Sequence, residues 1–299
     1  VSLLPHLVTS IRKLGHEVVI QKDAGKESGI SNEAYIEEGA QVLDSIEEIY
    51  STSDVIIKVK EPLESELELI KDSQIIFTFF HFAADKNLLD KFIQTNAIAV
   101  AYETVEDSKG NLPLLTPMSE IAGRMSIQNG AKYLEGTLGG KGKLLSGVPG
   151  VEPATVTIIG GGVVGLNAAK LASGLGAKVN ILDIDIDRLR YLDDIMPLNV
   201  ITHHSNSHTI KKLLPETDLL IGGVLVPGSI APKIIQRDLL SLMKKGSVIV
   251  DVAVDQGGCV ETTKPTTHQD PIYTVDGIVH YCVANMPGAV PKTSTISLA

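Results

Sequence analysis

The stretch Thr155-Val156-Thr157-Ile158-Ile159-Gly160-Gly161-Gly162-Val163-Val164-Gly165-Leu166-Asn167-Ala168-Ala169 decides the fold. Five β-branched residues predict a strand, a G-x-G-x-x-G turn follows, and a helical run opens behind it. Gly160 permits the tight turn, Gly162 lets a pyrophosphate approach the backbone, and Gly165 lets the helix pack close to the strand. The first turn of that helix offers free N–H groups and a positive dipole end to phosphates. Candidate cofactor-binding residues here are Gly160, Gly162, Val163, Val164 and Gly165. A second strand ends Lys178-Val179-Asn180-Ile181-Leu182-Asp183. Asp183 stands 183 − 160 = 23 residues after Gly160, about where a ribose-binding acid belongs. A carboxylate accepts from a ribose 2′-OH and repels a 2′-phosphate, so NAD is expected rather than NADP. The competing reading is a glycine turn that serves packing alone, followed by a solvated acidic turn. Asp185 and Asp187 fit such a turn, with Asp187 capping a helix that begins near Arg188.

Outward from this unit, β-rich runs alternate with helix-period runs. Strands are expected at 17–20, 55–60, 75–80, 98–102, 155–159, 179–183, 219–225 and 247–254. Helices are expected at 3–14, closed by Gly15, and at 63–70, 88–95, 118–134, 163–175 and 229–243. Strands separated by helices predict βαβ units with parallel sheets. Runs such as Val55-Ile56-Ile57 are almost continuously apolar, which suits strands covered on both faces. A boundary falls near 112–118, after which the long helical pattern connects to a glycine-rich loop at 136–150.

The 299 residues suffice for two domains. With 43% hydrophobic and 21% charged residues the composition is that of a globular protein, not a disordered chain. The net charge of −10 argues against a nucleic-acid binder, although backbone amides can still hold one small phosphate ligand. Two cysteines, Cys259 and Cys282, are too few for a disulfide scaffold and fit a reducing compartment. The longest uncharged stretch, 153–169, is interrupted by glycines and is not a membrane span. The start Val1-Ser2-Leu3-Leu4-Pro5-His6 has neither an initiator Met nor a signal-peptide pattern, and neither end resembles a natural terminus, so a fragment is expected.

Ligands of parallel sheets bind outside the carboxyl ends of the strands. Three runs place reactive side chains there. The run 55–60 ends in Lys58 and Lys60, 75–80 leads to His81, and 247–254 leads to Asp255. Each has a bland alternative. Lys60 fits a solvated strand end, His81 beside Phe79, Phe80 and Phe82 fits a satisfied core histidine, and Asp255 before Gln256-Gly257-Gly258 fits a turn. His203, His204 and His208 and the two cysteines lack metal-ligand spacing, so no metal site is expected. The turn Val283-Ala284-Asn285-Met286-Pro287 follows a strand and offers Asn285 as a polar contact.

Taken together, the sequence resembles the alanine dehydrogenase family, which is related to the nucleotide-binding subunit of proton-translocating transhydrogenase. The matching segments are KVKEP (58–62), FTFFHFAA (77–84), AYETV (101–105), LPLLTPMSEIAGRMS (112–126), GVPGVEPATVTIIGGGVVGLNAA (147–169), VLVPGSIAPK (224–233), VDVAVDQGGCVETTKPTTH (250–268) and YCVANMPGAVPKTST (281–295). They follow in order along nearly the whole chain.

The resemblance implies an α/β protein of two Rossmann-like, doubly wound parallel-sheet domains. A substrate domain (1–115 and 292–299, incomplete at both ends) is interrupted by an NAD-binding domain (116–291). The implied reaction is the reversible, NAD-dependent oxidation of L-alanine to pyruvate and ammonium. Lys60 would contact the substrate carboxylate and carbonyl, His81 would donate and accept protons, and Asp255 would lie near the nicotinamide and the reacting carbon. Ser119 and Asp183 would contact the cofactor, Arg188 and Ser205 would lie around its adenosine half, and Val224, Leu225, Val283, Ala284, Asn285 and Met286 would line it. The resemblance also implies a cytoplasmic homo-oligomer, often a hexamer, with small-molecule partners only. Family members begin with a strand and an Arg that binds the substrate carboxylate, and end in further helices; the chain is expected to lack both. A transhydrogenase subunit and a non-catalytic NAD-binding module are the alternatives, and Lys60, His81 and the VDQGGC segment favour the dehydrogenase.

Overall fold

The computed structural model of the chain describes residues 1–224 and 230–299. Leu225, expected to line the cofactor, lies outside the described residues. The chain divides into two compact units, 1–118 with 288–299, and 119–287.

In the first unit helices and short strands alternate: α1 (Pro5–Lys13), β1 (Val19–Gln21), α2 (Asn32–Glu37), β2 (Gln41–Leu43), α3 (Ile46–Thr52), β3 (Val55–Ile57), α4 (Glu64–Leu67), β4 (Ile75–Thr78), α5 (Lys86–Ile93) and β5 (Ile98–Ala101). Side-chain caps start several helices. Ser31, Ser45 and Asp85 accept the N–H groups of Ala34, Glu48 and Leu88. β1 pairs with β2, and β3, β4 and β5 form a second sheet in that order, all parallel. Tyr50, Ile56, Ile76, Phe80 and Phe92 build one core, and Val8, Ile20, Tyr35 and Ala40 another. The helix Pro291–Leu298 closes on this unit through Thr295, whose hydroxyl lies 2.8 Å from that of Ser28. The register Ile57↔Phe77 and Thr78↔Ala101 brings the carboxyl ends of β3, β4 and β5 to one edge.

Helix α6 (Leu115–Tyr133) runs from the first unit into the second. The second unit holds β6 (Thr155–Ile159), α7 (Val163–Gly174), β7 (Lys178–Asp183), α8 (Ile186–Ile195), β8 (Val200–His204), α9 (Ser207–Leu213), β9 (Leu219–Gly222), β10 (Val248–Asp251), β11 (Ile272–Val275) and β12 (Ile278–Tyr281). Its seven strands lie in the order β11-β12-β10-β9-β6-β7-β8. Counted from β6, the six parallel strands run 3-2-1-4-5-6, the dinucleotide-binding order, with β11 added antiparallel at one edge. β9, β10 and β12 are buried at every residue, as strands covered on both faces must be.

Several expectations are corrected. The helix expected over 229–243 is, within the described residues, only a 3-10 turn at Arg237–Leu242. Pro232 interrupts the pattern, and the N–H groups of Ala231, Ile234 and Ile235 donate to the carbonyls of Gln256 and Cys259 instead of to a helix. The pattern at 63–70 yields the short α4. The strands expected over 55–60 and 247–254 end at Ile57 and Asp251. Asp185, not Asp187, caps α8, accepting from the N–H groups of Asp187 and Arg188.

Candidate active site

In the first unit the segment 58–60 is stitched to the end of β4. Lys58 N–H donates to the Phe77 carbonyl at 3.1 Å, Phe79 N–H to the Val59 carbonyl at 3.3 Å, and the Thr78 hydroxyl to the Lys60 carbonyl at 2.8 Å. Lys58 itself pairs with Glu66, which leaves Lys60 as the lysine available at this end. Its Nζ lies 3.3 Å from Glu61 Oε2, and His81 Nδ1 lies 3.8 Å from the same oxygen. This oxygen is buried, and Lys60 and His81 are the groups that face it. Burial acts to raise the Glu61 carboxyl, but His81 and Lys60 outweigh it and bring it down to about 2.

His81 has a backbone φ of +52°, a left-handed conformation that costs a non-glycine residue energy. Glu103, in the turn Tyr102–Thr104 after β5, holds it there. Its carboxylate accepts the N–H of His81 at 2.7 Å and that of Phe80 at 3.2 Å. The His81 ring stacks on Phe79, centroids 5.9 Å apart. The satisfied-core reading of His81 therefore does not hold: the ring is part-exposed and faces the Glu61 carboxylate. The sequence carries no local signal for Glu61 or Glu103. A Glu next to Pro62 carries no spacing signal, and the Glu103 contact is made across strands.

In the second unit the glycine turn has the geometry its sequence requires. Gly160 has φ +99°, and a Cβ there would stand 2.8 Å from the Gly223 carbonyl oxygen. A Cβ on Gly165 would lie 1.9 Å from the Gly160 carbonyl oxygen, the close approach of α7 to β6. A Cβ on Gly162 would meet nothing within 4 Å, which leaves open space at the start of α7. Val163 and Val164 form the first helical residues behind it. Asp183, at the end of β7, accepts the Gly161 N–H at 2.6 Å and the Asp185 N–H at 2.9 Å. Arg188 braces the same turn, donating from Nε to the Gly161 carbonyl at 2.6 Å and lying over the Tyr191 ring. Ser205 N–H donates to the Asp183 carbonyl at 2.8 Å. Val224, half-buried, packs against the core beside Gly160, and Ser119 lies half-buried in α6.

Beyond β10 the chain makes a 3-10 turn, Val252–Gln256, that carries Asp255. Asp255 Oδ2 accepts the N–H of Asn285 at 3.0 Å, and Asn285 has φ +57°. The turn at 283–286 is thus tied to the Asp255 loop, with Val283 and Met286 buried and Ala284 and Asn285 half-buried. The side-chain Oε1 of Gln256 is buried and has no hydrogen-bond partner among the described residues.

The strand order, the open glycine turn and the acid at the end of β7 define a Rossmann-type α/β protein with a Lys–Glu–His cluster in its other unit. Residues 1–122 match the family model "Alanine dehydrogenase/PNT, N-terminal domain" and residues 126–299 the model "Alanine dehydrogenase/PNT, C-terminal domain". The chain belongs to this family. Among similar proteins, an alanine dehydrogenase of Methanococcus maripaludis is 53% identical over 299 residues, all of this chain and 80% of the relative. One of Mycobacterium tuberculosis is 45% identical over 298 residues, again 100% and 80%. A solved L-alanine dehydrogenase superposes with a TM-score of 0.91 at 50% identity, covering 99% of this chain and 82% of the other. A transhydrogenase from Sinorhizobium meliloti shares the fold, with a TM-score of 0.82 at 22% identity over 99% of this chain and 86% of its own.

Proposed function

We propose that the protein catalyses the reversible, NAD-dependent oxidative deamination of L-alanine to pyruvate and ammonium. The observation that carries the reading is the Lys60–Glu61–His81 cluster at the ends of β3 and β4, in a chain 45–53% identical over its length to proteins named alanine dehydrogenase. The open space at Gly162, the helix start behind it and the carboxylate of Asp183 fit a dinucleotide. When bound, NAD supplies the hydride acceptor.

The chain's own residues do the rest. Lys60 pairs with the substrate carboxylate and polarises the carbonyl in the reverse direction. His81 takes a proton from the water that adds to the oxidised carbon and returns one as ammonia leaves. Glu61 balances the charge of Lys60 and faces the His81 ring, while Glu103 fixes the His81 backbone. Gly160, Gly162 and Gly165 with Val163 and Val164 hold the pyrophosphate, and Asp183 takes the ribose hydroxyl. Asp255 lies at the reacting end, Ser119, Val224 and Val283 to Met286 line the cofactor, and Arg188 and Ser205 support its adenosine half.

No described helix is long and apolar enough to cross a membrane. Both cysteines are free and buried, which fits a cytoplasmic site of action. A homo-oligomer is part of the same reading, and light scattering tests it. The activity test mixes the protein with NAD and a panel of L-amino acids and follows NADH absorbance. NADH formation on alanine is expected, and His81→Ala should abolish it while NADH still binds. Binding without turnover on any amino acid would refute the reading, and hydride transfer only in the presence of a second nucleotide-binding protein would select a transhydrogenase.

A further inference from the structure

We propose that Asp251 is a positioning residue for Asp255, acting through the loop at 252–263. Asp251 ends β10 and is fully buried, yet among the described residues none of its carboxylate's partners belongs to a strand or an α-helix. Its Oδ1 accepts the Ala253 N–H at 3.1 Å and the Cys259 thiol at 3.7 Å. Its Oδ2 accepts the Val260 N–H at 3.2 Å and the Thr263 hydroxyl at 2.6 Å. All four donors lie between 253 and 263, so the chain leaves Asp251, carries Asp255 outward, and returns to the same carboxylate.

Two glycines keep room for it. A Cβ on Gly222 would stand 2.9 Å from Oδ1, and one on Gly258 2.7 Å from Oδ2. The loop's carbonyl groups face another set of donors. The Gln256 carbonyl takes the Ala231 N–H at 2.8 Å, and the Cys259 carbonyl takes those of Ile234 and Ile235. Lys233 Nζ donates to the carbonyls of Gly257 and Val260. Peptide groups on both sides of the loop are thus fixed, N–H toward Asp251 and C=O toward 231–235. The Asp255 carboxylate is aimed by this frame and meets the Asn285 N–H. A carboxylate serving only the fold would have no reason to collect every partner from the one loop that bears Asp255. Buried and fully hydrogen-bonded, it preorganises that loop, which is how a site keeps its geometry without reorganising during reaction.

The proposal rests on the reading that Asp255 acts at the reacting end. The test uses the full chain with alanine and NAD, and measures kcat, the KM for alanine, the NADH dissociation constant by fluorescence, and the melting temperature. In Asp251→Asn the carboxamide NH2 must face two of the four donors. kcat is expected to fall about tenfold or more, while NADH affinity stays within about twofold. Thr263→Val removes one donor at constant shape, and Thr263→Ser keeps the donor but loses a methyl group. The valine variant should lose turnover by about threefold to tenfold, and the serine variant should keep it. If Asp251→Asn does not fold, the Thr263 pair still decides. Equal losses in the valine and serine variants, wild-type kcat in both Asp251→Asn and Thr263→Val, or loss of NADH affinity in proportion to kcat would each overturn the positioning role. Full turnover in Asp255→Asn would instead overturn the reading of Asp255, so the two failures are distinguishable.

Discussion

The glycine turn permits a test in which fold and ligand separate. At Gly165 an added Cβ would lie 1.9 Å from the Gly160 carbonyl oxygen and 3.0 Å from its carbonyl carbon. Both are backbone atoms of the turn, so Gly165→Ala must push α7 off β6. Overpacking of this kind costs about 1–3 kcal/mol, and for a unit of this size each kcal/mol lowers Tm by about 2–4 °C. A loss of roughly 2–12 °C follows. Gly162 is different. It caps α7 with φ −64°, a value open to alanine, and its Cβ would meet nothing within 4 Å. Gly162→Ala should therefore cost the fold less than about 1 kcal/mol, the scale of a weakened helix cap. The open space is what a pyrophosphate would fill. A Cβ there keeps phosphate oxygens from the N–H groups at the start of α7, and a hydrogen bond to a charged group contributes about 1.5–3 kcal/mol. At about 1.4 kcal/mol per decade, NADH affinity should weaken by about tenfold to 150-fold. Fluorescence titration reads the affinity and differential scanning fluorimetry reads Tm. Gly162→Ala with wild-type NADH affinity, or with a Tm loss matching that of Gly165→Ala, would refute the reasoning.

Three further expectations follow from the same geometry. Glu103→Gln keeps one acceptor for the N–H groups of Phe80 and His81 but loses the charge, so kcat should fall about tenfold or more while NADH affinity holds; unchanged kcat would show that His81 keeps its left-handed backbone without the carboxylate. Asp183→Asn retains an acceptor for the Gly161 N–H and removes the charge that repels a 2′-phosphate, so the ratio of kcat/KM for NAD over NADP should drop about tenfold, and a constant ratio would remove Asp183 from cofactor choice. Asp218 is buried between Lys141 and Lys143 and also takes the Thr155 N–H at 2.8 Å. Burial acts to raise its carboxyl and these donors prevail, so it is held below the ordinary value of about 3.9. Its contribution is then fully present above that ordinary value and is lost as pH falls through the lowered one. Asp218→Asn should cost about 3–5 kcal/mol at neutral pH and flatten the acid limb of a denaturation curve, which urea melts at several pH values would show.

The sequence was informative wherever a rule is local. The β6–turn–α7 unit and Asp183 were legible because glycines, β-branched residues and one acid stand at fixed spacing. β9 and β10 were legible as apolar runs, although β10 ends earlier than its pattern. Local rules misread the run at 229–243, where apolar spacing resembles a helix but Pro232 and the carbonyls of Gln256 and Cys259 keep 231–235 out of one. β2, β8 and β11 leave no clear pattern in the sequence. β2 is three residues long, β8 carries two histidines and an exposed Ile201, and β11 is an edge strand, so none shows the continuous apolar pattern of a central strand. Lys60, His81 and Asp255 could be nominated from strand ends, but Glu61, Glu103 and Asp251 could not, since their roles depend on contacts between separate segments.

Those acids share a physical logic with Asp183. The carboxyl ends of parallel strands leave N–H groups of the following loops without ladder partners. A carboxylate at such an end can collect two or more of them. Asp183 does so for Gly161 and Asp185, Glu103 for Phe80 and His81, and Asp251 for Ala253 and Val260. In every case a candidate functional residue or the glycine turn lies within the gathered segment. The strand ends that carry candidate site residues are therefore tied down by carboxyl groups as well as by packing. This bears on the net charge of −10. Part of that acidity is turned inward onto backbone amides, where it builds the site instead of repelling an anionic ligand from the surface. A substitution that neutralises one of these carboxylates should accordingly act on loop geometry before it acts on long-range attraction, and its effect on turnover should persist at high salt, where surface charge effects are screened within about 3 Å at 1 M.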